Sequence, residues 1–256
     1  MHLAVFVCLS ACTATGEASP ELPLFEVGEP ARALLGRAPS VGPEAVVALY
    51  RYADALEDED QRAVALGTAA SRASLLPEDV SASYGAAFAT PMRPEAFVVT
   101  ERDWGATDPD FLLDGDHDQR CPLEALSCEL SPECEDYLGE STWGYSLTHQ
   151  ALTLVFVYEC DAGDPWQEAR RRVASRLAHA HRADPAPSDL AFERVAMLAE
   201  LGAEFRTNEE TTAWWAMVSA VQNADGGFPW DGAGESHAHT TAVALWALSV
   251  SATRAR

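Results

Sequence analysis

Apolar residues recur every three or four positions along most of the chain after residue 42, which is the period of one face of an α-helix. Pro43 suits a first helical turn, and Gly202 and Gly226 suit positions where a helix stops. The pattern predicts helices over 43–57, 60–75, 77–89, 143–160, 166–181, 188–201 and 211–221, and a further helix that opens at His239. The sequence therefore predicts an all-α protein.

The stretch from Thr211 to Ser249 predicts two helices joined by a turn. Thr207 or Asn208 is suited to the N-cap of the first helix, because an oxygen-bearing side chain there accepts a backbone N–H. Gly226 and Gly227 follow this helix and permit positive φ at little steric cost. His239-Thr240-Thr241 then opens the second helix, so the segment is an αα-hairpin.

The turn of this hairpin, Gln222-x-x-Asp225-Gly226-Gly227-Phe228, resembles a turn of the terpenoid cyclase and protein prenyltransferase superfamily. The resemblance covers 211–249 and implies an α/α toroid, in which αα-hairpins form two concentric rings of helices. His239-Thr240 is similar to a zinc-ligating position of the prenyltransferases. The Asp-x-Cys partner of that ligand and the Asp-rich motif of the cyclases have no counterpart here. The resemblance thus implies architecture more than activity.

The region 91–142 differs from the helical remainder and predicts an irregular insertion. Between Glu101 and Glu140 the chain carries thirteen acidic residues against two arginines. A long irregular segment in a compact domain is often cross-linked. The even set of cysteines that remains after the first twelve residues predicts two disulfides, with a four-thiolate zinc site as the alternative. These cysteines are Cys121, Cys128, Cys134 and Cys160, and their connectivity stays open.

The first residues, MHLAVFVCLSAC, contain a short apolar run before Cys12. Leu9-Ser10-Ala11-Cys12 resembles the lipobox of bacterial lipoproteins, although no basic residue precedes the apolar run. The resemblance implies a signal peptide over 1–11, a lipidated Cys12 that attaches the protein to a membrane, and an envelope location, with Thr13 favouring the outer membrane. Residues 12–42 then form a tether, and 43–256 the toroid-like domain. The alternative is a buried N-terminal strand or helix.

The net charge and the basic residues of the chain argue against several classes of function. The net charge is −23 at pH 7 with a pI near 4.5, which argues against nucleic acid as a partner because phosphate contacts need basic patches. All seventeen basic residues are arginine, so no lysine is present to form a Schiff base. No glycine-rich phosphate loop and no Gly-x-Ser-x-Gly elbow appears.

Two histidines are the candidate catalytic residues. Thr148-His149 can be laid over His239-Thr240 at an offset of 91 positions, about two hairpin repeats, and each histidine opens an apolar helix. Both rings are therefore expected to face one central cavity, where they act as general bases or bind a metal. The alternative is that each side chain caps its own helix.

Two loops supply further candidates. Asp225, Asp231 and His237 lie between the helices of the hairpin and suit ligand binding, or a solvated loop in which Asp225 organises its own turn. Asp114, Asp116 and Asp118 alternate in the way calcium loops direct oxygen ligands, although the EF-hand pattern is not met. The cofactors considered are thus Ca²⁺ and Zn²⁺.

Taken together, these features favour an exported protein that binds a ligand or partner in the centre of a helical ring. The ring is short for an enzyme, since 43–256 without its insertion holds about four hairpins. The alternative is a lyase or hydrolase acting on an envelope polymer or isoprenoid through His149 and His239. If that alternative is correct, both histidines should lie within hydrogen-bonding distance of an acidic residue.

Overall fold

The computed structural model describes residues 24–78, 80, 96–99, 115–158, 160 and 165–254. The predicted all-α fold is confirmed. The helices of this described part are α1 Leu24–Arg37, α2 Pro43–Ala55, α3 Glu59–Ala73, α4 Gly115–Leu126, α5 Pro132–Gly139, α6 Gly144–Tyr158, α7 Gln167–Ala183, α8 Asp189–Glu200, α9 Asn208–Val221 and α10 Ala238–Arg254. The predicted signal peptide over 1–11, Cys12 and most of the predicted helix over 77–89 lie outside the described residues.

The described residues also contain four two-residue strands: β1 Phe97–Val98, β2 Ala203–Glu204, β3 Phe228–Pro229 and β4 Ser236–His237. Strands β1 and β2 pair in parallel, and β3 and β4 pair antiparallel. The second pair closes the turn between α9 and α10. It therefore fixes where α10 begins and where its first histidine lies.

Local sequence signals explain where the helices begin. The Thr207 side chain accepts a hydrogen bond from the Glu210 backbone N–H, and Glu210 bonds back to the Thr207 N–H, which forms a capping box. Ser188 caps α8 through the Ala191 N–H at 3.2 Å. These contacts satisfy backbone donors that have no partner inside the helix.

Helix α10 is the centre of the packing. It lies against α1, α2 and α8, while α6 contacts α4, α7 and α8. Its buried apolar residues include Leu245, Trp246 and Leu248. The helices that face one another around α10 thus bury the apolar faces that the sequence pattern marks. A closed toroid stays a prediction.

Helix α1 corrects part of the prediction that 12–42 is a tether, of which 12–23 lie outside the described residues. Residues 24–37 are helical, and Val27, Ala31 and Leu35 are buried at one-turn spacing. The Gln222 side chain donates a hydrogen bond of 2.9 Å to the Val27 carbonyl oxygen. The short apolar stripe of α1 is therefore part of the domain core. The sequence did not predict this helix, because the segment is rich in Pro, Gly and Ala.

We expect Gly226→Ala to destabilise the protein by about 1–3 kcal/mol, since both backbone strain and collision act at this position. Gly226 has φ +91°, and an added Cβ would lie 2.4 Å from the Pro30 carbonyl oxygen of α1. Urea unfolding followed by circular dichroism measures the change.

Gly67→Ala is the matched control for that substitution. Gly67 lies inside α3 with no neighbour near an added Cβ, so alanine there is expected to stabilise the helix by about 0.5–1 kcal/mol. Equal stability changes in the two variants would contradict the close approach of α1 to the turn.

The described part of the acidic insertion is more regular than predicted, because α4 and α5 occupy it. The disulfide Cys121–Cys134 joins α4 to α5 within this part, and Cys128–Cys160 joins it to the chain just after α6. The predicted pair of disulfides is thus confirmed over the zinc alternative, and its connectivity is settled. Disulfides are consistent with an extracellular or periplasmic location.

The arginines of α7 also hold the insertion in place. Arg172 donates a hydrogen bond of 2.9 Å to the Leu138 carbonyl oxygen, and Arg176 donates one of 2.7 Å to that of Glu140. Cations at the C-terminal end of a helix satisfy carbonyls that have no partner within it. The basic residues of α7 therefore stabilise the end of α5. No helix of the described residues has the length and apolarity that a bilayer span requires.

Candidate functional site

Helices α2, α6, α8 and α10 line a cavity of about 130 Å³. Its polar wall comes from five side chains, and the remainder of its surface is predominantly aliphatic and aromatic. The polar lining residues are Glu44, Thr148, His149, Glu193 and His239. Four helices that are distant in sequence thus contribute to one chamber.

His239 lies at the centre of the polar wall and contacts three carboxylates. Its Nδ1 is 3.2 Å from Glu44 Oε1, and its Nε2 is 3.1 Å from Glu193 Oε1. The same Nε2 lies 3.6 Å from Asp189 Oδ2. Asp189 is 1% exposed, whereas the His239 side chain is 32% exposed. The cluster of Glu44, Asp189, Glu193 and His239, here called the acid–histidine cluster, therefore extends from the interior to solvent.

The local sequence explains why these side chains meet. Asp189 and Glu193 are four positions apart on α8, so both lie on one helix face. The N-cap at Ser188 places Asp189 in the first turn, where the helix dipole stabilises a carboxylate. Glu44 occupies the first turn of α2 in the same way.

Each of the two carboxylates on α8 accepts further hydrogen bonds. Asp189 Oδ2 accepts from the Tyr145 hydroxyl at 3.0 Å, and Oδ1 accepts from Thr240 at 2.6 Å. Glu193 Oε2 accepts from the Thr148 hydroxyl at 2.5 Å. These contacts fix both carboxylates in place, so the cluster is organised before any ligand arrives.

The geometry fits a divalent transition metal. Asp189, Glu193 and His239 each offer a ligand atom, and these atoms lie within 4.8 Å of one another. Ligand atoms around tetrahedral Zn²⁺, with bonds of roughly 2.0–2.2 Å, lie about 3.4 Å apart, close to the distances from Nε2. Glu44 would then accept the Nδ1–H, as carboxylates do in carboxylate–histidine–zinc arrangements. The three side chains therefore suit a three-ligand zinc site with one position left for a ligand.

The electrostatics of the metal-free cluster favour an imidazolium. Burial lowers the pKa of His239, but hydrogen bonds that its ring donates to Glu193 and Glu44 and the charge of Asp189 outweigh this effect and raise the pKa to about 10. Burial raises the pKa of the Asp189 carboxyl against the opposing hydrogen bond from Thr240. The ring that the sequence predicted as a neutral base is thus a cation in the absence of metal.

This shift predicts a pH-dependent stability for the metal-free protein. Because the folded pKa of His239, about 10, exceeds the usual 6.5, its stabilising effect is complete below pH 6.5 and is lost as the pH rises to about 10. After a discount for exposure of the ring, we expect a loss on the order of 2 kcal/mol. Urea unfolding in EDTA, compared between the wild type and His239→Gln, measures it. Parallel pH profiles would contradict the expectation.

The structure brings His149 and His239 to the same cavity, as the 91-residue offset predicted. Their surroundings differ. The His149 Nδ1 is buried and has no hydrogen-bond partner among the described residues, whereas both nitrogens of His239 contact carboxylates. Only His239 meets the requirement of an acidic neighbour, and their catalytic roles stay a prediction.

The predicted ligand residues of the hairpin loop, Asp225, Asp231 and His237, are not members of the acid–histidine cluster. Asp225 Oδ1 accepts hydrogen bonds from the Gly227 N–H at 3.0 Å and the Ser236 hydroxyl at 2.6 Å, so this side chain organises the turn. Asp231 is exposed. The exposed His237 packs edge-on against Trp230, with its ring centre 6.4 Å from that of His239. His237 and Trp230 therefore border the cluster.

The calcium candidates are only partly within the described residues. Asp114 and the side chain of Asp116 lie outside them. Asp118 Oδ1 is 2.8 Å from the Tyr137 hydroxyl, and Oδ2 accepts a short hydrogen bond from Ser146. Both carboxylate oxygens of Asp118 thus link α4 to α5 and α6, which is a structural role.

Sequence reasoning missed Glu44, Asp189 and Glu193. The spacing of the two carboxylates on α8 was a usable signal, because positions four apart share a helix face. Glu44 carried no such signal, since an acidic residue in a first turn is ordinary. Its contact with His239 depends on tertiary packing alone.

No protein-family model matches the chain, and no curated protein and no solved structure is significantly similar to it.

Proposed function

We propose that this protein binds a divalent metal ion, best Zn²⁺, through Asp189, Glu193 and His239, and uses the metal to hold a small ligand in the cavity. The observation that carries the proposal is the convergence of these three ligand atoms within 4.8 Å of one another beside the chamber. An imidazole nitrogen among the ligands favours zinc over calcium or magnesium, which prefer oxygen.

Neighbouring side chains hold each of the three proposed metal ligands in place. Tyr145 and Thr240 hold Asp189, Thr148 holds Glu193, and Glu44 orients the His239 ring. Partners of this kind fix metal ligands and commonly change affinity by 10–100-fold when they are removed. When bound, the metal would act as a Lewis acid toward the ligand.

Titration of EDTA-treated protein with Zn²⁺ tests the proposal. We expect one zinc per chain in the wild type and at least a 100-fold loss of affinity in His239→Ala, because a ligand is removed. His237→Ala is the matched control, since this neighbouring histidine does not belong to the ligand set, and it should bind zinc as the wild type does. Equal affinity in all three proteins would refute the metal site.

A metal-dependent enzyme, a hydrolase or lyase on an envelope polymer or isoprenoid, is the second candidate. It is favoured by His149, whose Nδ1 has no partner among the described residues although the ring lines the same cavity. A ligand held at the metal would lie beside a ring that can transfer a proton. His149→Ala that leaves ligand binding intact and abolishes turnover would support this candidate.

Export and lipid attachment through Cys12 complete the proposed function. The two disulfides support an oxidising compartment, such as the periplasm or the cell exterior. The lipid anchor and the outer membrane rest on the resemblance of 9–12 to a lipobox. They stay predictions from the sequence.

A further inference from the structure

The apolar part of the cavity limits the kind of ligand that can bind there. Beyond the polar wall, the chamber is closed by side chains from α2, α6, α8 and α10. These residues are Val47, Leu152, Phe156, Met197, Val243 and Trp246. One end of the chamber is thus charged and hydrogen-bonding, and the rest is predominantly hydrocarbon.

The volume limits the size of the apolar group. The cavity measures about 130 Å³. An apolar protein cavity of roughly 150 Å³ holds one benzene molecule. The chamber therefore suits a group of about six carbon atoms rather than a long chain.

The charge of the polar wall determines which polar group of a ligand can bind beside it. Glu44, Asp189 and Glu193 surround a single imidazole, so carboxyl groups outnumber basic groups in the acid–histidine cluster by three to one. The basic residues nearby on α2 and α8 do not offset this excess. Arg51 pairs with Glu200 at 2.8 Å, and Arg194 contacts Asp184. A carboxylate head would meet like charge, whereas an amine meets opposite charge.

We infer that the ligand is a small primary amine that carries an apolar group of about six carbon atoms. The nitrogen occupies the polar end beside Glu44 and Glu193, and the hydrocarbon fills the chamber toward Trp246. This inference rests on the proposed function in taking this cavity as the ligand site. It extends that function because a metal site alone does not specify the head group or the size of the ligand.

Calorimetric titration with four matched probes tests the inference. Benzylamine has both features, benzoate and benzyl alcohol change the head group, and methylamine lacks the ring. Each is titrated into zinc-loaded and into EDTA-treated protein. We expect benzylamine to bind at least 10-fold more tightly than each of the other three in at least one of the two forms.

Two cavity variants check where the ring binds. Ala196 lines the chamber, so Ala196→Leu should weaken benzylamine binding at least 10-fold without changing zinc affinity, while Ala213→Leu on the exposed face of α9 should change neither. If Ala196→Leu does not fold, Val243→Ala replaces it. That variant enlarges the chamber and should shift preference from benzylamine to 4-methylbenzylamine.

The outcomes separate the two proposals. Zinc binding together with benzoate binding as tight as that of benzylamine would overturn the amine and keep the metal. Preferential binding of benzylamine without any zinc binding would overturn the metal and keep the amine. No benzylamine binding in either form, or binding that neither cavity variant changes, would overturn the inference.

Discussion

Replacing Glu200 by Gln is expected to lower the free energy of unfolding by about 3–5 kcal/mol, because it removes one charge of a buried ion pair. Glu200 Oε1 accepts hydrogen bonds from Arg51 Nε at 2.8 Å and from Trp246 Nε1 at 2.7 Å. The Arg51 and Glu200 side chains are 3% and 2% exposed. Urea unfolding of the variant measures the loss.

Two comparisons make this prediction specific. Arg120→Gln removes a partner from an exposed ion pair with Glu124 and should cost less than about 1 kcal/mol. The double substitution Arg51→Met with Glu200→Leu removes both buried charges and should recover much of the loss. A loss below 1 kcal/mol in Glu200→Gln would contradict a stabilising role for the pair.

Reduction of the two disulfides is the second large effect. The chain-entropy model gives about 3 kcal/mol for Cys121–Cys134, which are 13 positions apart, and about 4 kcal/mol for Cys128–Cys160, which are 32 apart. The mechanism is a gain of freedom in the unfolded chain. We therefore expect a markedly lower thermal midpoint after reduction.

Paired serine variants separate the two contributions. Replacing Cys128 and Cys160 together should cost more than replacing Cys121 and Cys134 together, because the former bridge closes the longer loop. Thiol titration of the native, unreduced protein checks the starting state. Reactive thiols at Cys121, Cys128, Cys134 and Cys160 there would show that the bridges are absent in solution.

Local signals in the sequence account for the helices that it predicted well. Pro43 begins α2, Ser188 caps α8, and Thr207 caps α9 with Glu210 as its partner. Each of these signals acts within three residues, so no knowledge of distant packing is needed. Apolar residues that recur every three or four positions then form the buried face of each helix, and the all-α class follows.

The candidate site was only half predictable. His239 was accessible because it opens a helix after a recognisable turn, and His149 because of its offset from His239. Glu44 could not be predicted, because its contact with His239 exists only where α2 packs against α10. These two residues are nearly two hundred positions apart in the sequence. Sequence pattern gives the face that a helix buries but not the helix it meets.

The same limit explains the error over the tether. Helix α1 contains Pro30 and Gly28, which disfavour a helix interior, so local propensity argued against it. Its place depends on the Val27 carbonyl, which accepts from Gln222, and on the close approach of Pro30 to Gly226. Tertiary contacts thus outweigh propensity in this segment.

The central position of α10 also sets the order in which the protein folds during synthesis. The contact of Glu44 with His239 and that of Val27 with Gln222 each span 195 positions. A nascent chain that has emerged from the ribosome only as far as α9 lacks the surface against which α1, α2 and α8 pack. Contacts of such separation form slowly because a long loop must close first. The earlier helices therefore keep apolar faces exposed until α10 packs against them, and exposed apolar surface favours aggregation at this stage.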